Sequence, residues 1–139
     1  MIEAYIDGLA EPSNPGFATY GFVIYRDGQK AYEEYDSIGD GLTNNYAEYE
    51  GLTRALTRLL PECDEEVVVK SDSLLLVNQM KGVWRVKKGL YLEKYAEARK
   101  LAAKFGALRF EWIPRERNAE ADKLSRLAYA GRSSVGQQP

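Results

Sequence analysis

The chain has 139 residues, a single cysteine, no histidine, 45% hydrophobic and 29% charged residues, and a net charge of −2. That composition fits one globular domain with a real core. It excludes an internal disulfide, a cysteine metal cluster, a Ser-His-Asp triad and most zinc sites. Any metal must be held by oxygen, which favours magnesium or manganese.

The charge is unevenly spread. Residues 1–80 carry 5 basic and 15 acidic side chains, whereas residues 81–104 carry 8 basic and 2 acidic ones. An acidic site beside a basic docking surface is expected, although a solvated helix face explains much of the basic block equally well. No apolar run is long enough to cross a membrane, and no basic-then-apolar leader opens the chain. A cytoplasmic location with no membrane partner is expected.

Ile2 to Gly8 reads as a first strand ending in Asp7-Gly8. A strand-end carboxylate beside a glycine is a natural metal ligand, but taken alone it reads as a solvated end residue. Leu9 to Phe17, with Pro12, Asn14, Pro15 and Gly16, is turn chemistry. Thr19–Tyr25 and Lys30–Ser37 read as strands joined by a hairpin at Asp27-Gly28. Glu33, Glu34 and Asp36 mark the third strand as an edge. Gly39 to Thr43 reads as a loop.

Thr43 or Asn44 caps a helix that runs to about Leu60, before Pro61. Glu48 lies on its apolar stripe, one turn before Leu52. A carboxylate there either finds a partner in the core or pairs with the helix dipole. Glu66–Ser71, with three valines in a row, reads as a strand buried on both faces. It ends at Asp72, where open α/β sheets place ligands and where a helix N-cap is also needed.

A helix follows over about Leu74–Lys81. Gly82–Gly89 is a basic connection with Trp84, Lys87 and Lys88. Tyr91–Phe105 reads as a strongly amphipathic helix, Leu108–Ile113 as the last strand, and Asn118 as the cap of a helix to about Ala130. Residues 1–130 are expected to form the domain. Residues 131–139 are expected to form a disordered tail.

At this point several motifs stand in order. They are Tyr5-Ile6-Asp7-Gly8, Asn14-Pro15-Gly16, Thr43-Asn44-Asn45 with Glu48, Ser71-Asp72-Ser73, and Asn118 with Ala121-Asp122 and Leu124. Together they resemble the type 1 ribonucleases H, over about residues 2–130. The resemblance is to archaeal and bacterial forms without the basic protrusion. It implies an α/β fold of the RNase H-like kind. The sheet would be mixed and five-stranded, with three antiparallel strands and then βαβ-type additions, flanked by helices.

It also implies an endoribonuclease that hydrolyses the RNA strand of RNA–DNA hybrids, and raises the expectation of action on RNA–RNA duplexes. Asp7, Glu48, Asp72 and Asp122 would be the catalytic and metal-binding set. They would hold two Mg2+ ions roughly 4 Å apart, with Mn2+ as a substitute. Asp7 would bridge the ions, Glu48 and Asp72 would complete one site, and Asp122 the other. Asn14, Asn44 and Asn45 would reach the minor groove, and Thr43 a DNA-strand phosphate. Trp84, Lys87 and Lys88 would be a reduced basic protrusion. Arg115 or Arg117 would supply the charge of a family histidine that this chain lacks.

The chain departs from the family at Leu74, where glutamine is usual, and in its short loop Pro114–Arg117. A monomer is expected. The competing reading is a non-catalytic duplex-binding domain that keeps the fold. Four acids near phosphate gain nothing for binding, which argues against it.

Overall fold

A computed structural model describes the backbone of residues 1–86 and 88–137, with side chains as far as Gly131. Three antiparallel strands open the chain: β1 (Ile2–Glu11), β2 (Gly16–Arg26) and β3 (Gln29–Leu42). Asp27 and Gly28 turn β2 into β3 with φ of 51° and 81°, the left-handed geometry of a tight hairpin. β4 (Glu66–Ser71) and β5 (Ala107–Trp112) add in parallel, giving the order β3-β2-β1-β4-β5. β3 is an edge strand, and Val67, Val68 and Val69 are fully buried, both as the sequence predicts.

The helices are α1 (Asn44–Leu59), α2 (Leu74–Met80), α3 (Leu92–Ala102) and α4 (Ala119–Gln137). Leu52, Leu56 and Leu59 of α1 pack with Ile2, Ile6, Val67 and Val69 in one core. α1 and α4 lie on opposite faces of the sheet. A Cβ on Gly51 of α1 would stand 3.6 Å from the Tyr20 side chain, whereas the next residue, Gly21, meets α4. Among the described residues, no helix is long and apolar enough to cross a membrane.

Several local expectations are corrected. β1 runs three residues past Gly8, and β3 absorbs residues 39–42 of the expected Gly39–Thr43 loop, because β2 continues to pair with it through an irregular stretch. Of the two expected caps of α1, Thr43 is the one that serves, its hydroxyl accepting the Tyr46 N–H at 3.1 Å. Ser73 caps α2, which leaves the Asp72 carboxylate free of that task. α3 is shorter than predicted, and Ala98 is its only fully buried residue. Asn118 ends a 3-10 turn, and its Oδ1 accepts no capping hydrogen bond among the described residues. α4 continues past Ala130 to Gln137. The remaining end of the expected tail, residues 138–139, lies outside the described residues, as does Lys87.

Candidate active site

β1 is paired in parallel with β4 only from Ile2 to Tyr5. Asp7 stands two residues beyond the last pair, inside β1 rather than at its end. The carboxyl end of β4 then leads to Asp72, so the two acids face a gap that the sheet leaves open. α1 closes one side of that gap. It can do so because residue 8 is glycine: a Cβ there would stand 2.3 Å from the Ala47 carbonyl carbon and 2.5 Å from the Glu48 nitrogen. That contact puts Glu48 over the strand. α4 closes the other side and brings in Asp122.

One carboxylate oxygen each of Asp7, Glu48 and Asp72 lie within 4.8 Å of one another. Asp122 is not part of that triple but lines the same cleft, of about 390 Å³, with Glu11, Asn44, Trp112, Arg115 and Arg126. Glu48 is only 8% exposed, and its Oε2 is buried with no hydrogen-bond partner among the described residues. This settles how Glu48 sits: it faces its fellow acids.

The electrostatics follow from burial and crowding. Burial, and next the charge of Asp72, push the Asp7 carboxyl up to about 7, against a hydrogen bond from Ser125. Burial, then Asp7 and Asp72, hold the Glu48 carboxyl well above the usual range. Burial also raises Asp72, opposed by the Asn118 amide and the Arg115 guanidinium. Asn118 Nδ2 donates to the Ile6 carbonyl at 2.8 Å, tying the turn after β5 to β1. Ser125 Oγ lies 2.9 Å from Asp7 Oδ2 and 2.8 Å from the Asp122 carbonyl, a link between the two acids.

The expected duplex-contacting residues divide. Asn14 and Asn44 meet each other. The Asn44 N–H donates to Asn14 Oδ1 at 3.0 Å, and Asn44 Oδ1 accepts the Ala10 N–H at 2.7 Å. Neither amide's NH2 group has a hydrogen-bond partner among the described residues. Thr43 is committed to its cap, and Asn45 is half-buried beside it. Arg115 lines the cleft, whereas the exposed Arg117 does not. Trp84 lies elsewhere, in a hollow of about 450 Å³ with Leu75, Gln79 and Tyr91. Lys88 is exposed on the same connection. Buried Gln79 anchors that connection: it accepts from the Tyr49 hydroxyl at 2.7 Å and donates to the Tyr91 hydroxyl and the Arg85 carbonyl.

Sequence reasoning missed Glu11, Trp112, Ser125 and Arg126. Trp112 pairs with Ser71 in the parallel register and donates its indole N–H to the Asp72 carbonyl at 3.2 Å. Ser125 and Arg126 lie three and four residues after Asp122, a helical spacing that was there to be read.

The chain matches the reverse transcriptase-like family over residues 6–128. It is 40% identical, over 81% of its length, to a bifunctional protein of Mycobacterium tuberculosis, but spans only 31% of that relative. The solved N-terminal RNase H domain of that protein superposes with a TM-score of 0.88, at 36% identity and 97% coverage of both chains. The RNase H1 structure of the archaeon Halobacterium salinarum gives 0.86, at 34% identity, covering 94% of this chain and 98% of that one. LC11-RNase H1, solved with an RNA/DNA hybrid, gives 0.85, at 42% identity, covering 92% and 96%. With the sheet order and the carboxylate cleft, these matches place the chain in the type 1 ribonuclease H family.

Proposed function

We propose that the chain is an endoribonuclease that hydrolyses the RNA strand of RNA–DNA hybrids, using two divalent cations held by Asp7, Glu48, Asp72 and Asp122. The observation that carries this is the triple of carboxylates within 4.8 Å, with Asp7 and Glu48 buried and Asp72 half-buried. The donor set fits such cations. It is all oxygen, and the orphaned Glu48 Oε2 is a buried charge site that contact with a cation would satisfy. Magnesium, with manganese as substitute, matches that chemistry. When bound, the cations stabilise charge on the phosphate and on its attacking and leaving oxygens.

The chain's own residues do the rest. Asp7 has an oxygen within 4.8 Å of oxygens of Glu48 and Asp72, and it accepts from Ser125 on α4, the helix that carries Asp122, so it would hold a cation together with its neighbouring acids. Asn118 and Ser125 hold Asp72 and Asp7 in place. The free NH2 groups of Asn14 and Asn44 are donors for 2′-hydroxyls and base edges in a wide minor groove. Thr43, Asn45, Trp84, Lys87 and Lys88 extend the contact along the duplex, and Arg115 offers positive charge beside the carboxylates. RNA–RNA duplexes present the same groove and are proposed as a second substrate. The reading includes a monomer acting in the cytoplasm, with residues 1–130 as the active unit.

The test is cleavage of a duplex labelled on its RNA strand. Magnesium-dependent cutting within the hybrid, abolished by EDTA and absent on DNA–DNA duplex, is expected. Tight hybrid binding without cleavage in magnesium or manganese would favour the non-catalytic binding domain.

A further inference from the structure

Arg126 is a cation already seated among the carboxylates. It lies on α4 one turn after Asp122, lines the cleft, and is 51% exposed. Its Nε donates to the two Asp122 oxygens at 3.2 and 3.1 Å. Its Nη1 lies 3.9 Å from Glu11 Oε1, and Glu11, at the end of β1, lines the same cleft. The four acids are therefore not equivalent. Asp7, Glu48 and Asp72 gather around one point, while Asp122 faces a guanidinium.

We propose that Arg126 is a built-in competitor for the second divalent cation. It neutralises Asp122 while that carboxylate is unligated, shifts toward Glu11 when a cation takes Asp122, and so sets the weaker of two cation affinities. This rests on the two-cation reading of the site. A half-exposed pair four residues apart on a helix is weak, so a divalent cation displaces it. The guanidinium stays charged at any working pH, so once displaced it needs another acceptor. Glu11 offers one within reach of a side-chain rotation. The competition leaves the cluster of Asp7, Glu48 and Asp72 nearly untouched and handicaps only the position that needs Asp122.

The test is calorimetric titration of Mn2+ and Mg2+ into metal-free wild type, Arg126→Ala, Arg126→Gln, Glu11→Gln and the Glu11→Gln/Arg126→Ala double variant. Wild type should bind in two steps. Both Arg126 variants should tighten the weaker step by about three- to tenfold and leave the stronger step within about twofold. Glu11→Gln should weaken the weaker step, and this effect should shrink in the double variant, because Glu11 acts through Arg126.

An equal Glu11→Gln effect in both backgrounds means that Glu11 acts only by its own charge, and overturns the shift. An unchanged or looser weaker step in the Arg126 variants overturns the competition. Weaker hybrid binding in EDTA with unchanged cation affinity does the same, by assigning Arg126 to the phosphate backbone. Failure of wild type to bind a second cation overturns the two-cation reading itself, a result distinct from the others.

Discussion

Asp7 and Gly21 face each other across β1 and β2, and the missing side chain at Gly21 is what lets α4 bring Ser125 to the Asp7 carboxylate. A Cβ at residue 21 would stand 2.7 Å from both the Leu124 Cβ and the Ser125 nitrogen. Gly21→Ala should therefore push α4 outward. Overpacking of this kind destabilises by about 1–3 kcal/mol. Activity should fall beyond what the folded fraction explains, since Ser125 and Asp122 move together. Denaturant unfolding and hybrid cleavage on the same sample check this; wild-type stability would show that α4 has slack.

The crowded acids make metal-free stability depend on pH. The folded Asp7 carboxyl lies at about 7, raised from 3.8. A raised acid stabilises the fold below its unfolded value, and the benefit is lost as pH rises through the folded value. In EDTA, wild type should thus be more stable near about pH 5 than near about pH 8. At the higher pH, Asp7→Asn should be more stable than wild type by on the order of 1–2 kcal/mol. That is below the ceiling of about 4 kcal/mol set by the displacement, because Glu48 titrates with Asp7 and the variant disturbs the Ser125 bond. Magnesium should stabilise wild type more than the variant. Thermal unfolding at the two pH values measures this; a variant that is less stable in EDTA at the higher pH contradicts it.

Much of this site was legible in the sequence. The valine run of β4, the Asp-Gly hairpin and the order of the motifs fix the sheet and bring the acids to one end of it. What was not legible depends on adjacency or distance. Asp72 and Ser73 are both able to cap a helix, and only the fold shows that Ser73 does so. The carbonyl that accepts from Asn118 belongs to Ile6, far away in sequence. Asp7 looked like a strand end because Pro12, Asn14, Pro15 and Gly16 suggest turn chemistry over Leu9–Phe17. Pairing with β2 carries the strand on to Glu11.

Asn44 has two separable tasks. Its Oδ1 holds the buried Ala10 N–H, and its NH2, without a hydrogen-bond partner among the described residues, is the proposed donor to the duplex. Asn44→Ala should lose about 1–3 kcal/mol, the penalty of an orphaned buried donor. Asn44→Asp keeps the acceptor and should retain stability, yet weaken hybrid binding by removing a donor and adding negative charge near phosphate. Stability and hybrid affinity measured on both variants separate the tasks. Equal affinity for wild type and Asn44→Asp would remove Asn44 from the interface.

Lys87 and Lys88 test the basic connection. Each phosphate contact contributes about 0.9 to the slope of log affinity against log salt on a B-form duplex. Replacing both by alanine should flatten the slope for hybrid binding by between about 1 and 2, and raise KM more than it lowers kcat. An unchanged slope would make this stretch a solvated surface.

On the two-cation reading, Asp7 and Asp72 serve the chemistry rather than the fold or duplex binding. The most direct measurement is single-turnover cleavage of a labelled hybrid by wild type, Asp7→Asn and Asp72→Asn in magnesium, with hybrid binding measured on the same preparations. Cleavage by wild type, none detectable in either variant, and hybrid affinity within a few-fold of wild type are predicted. Near-wild-type turnover in either variant would contradict the account.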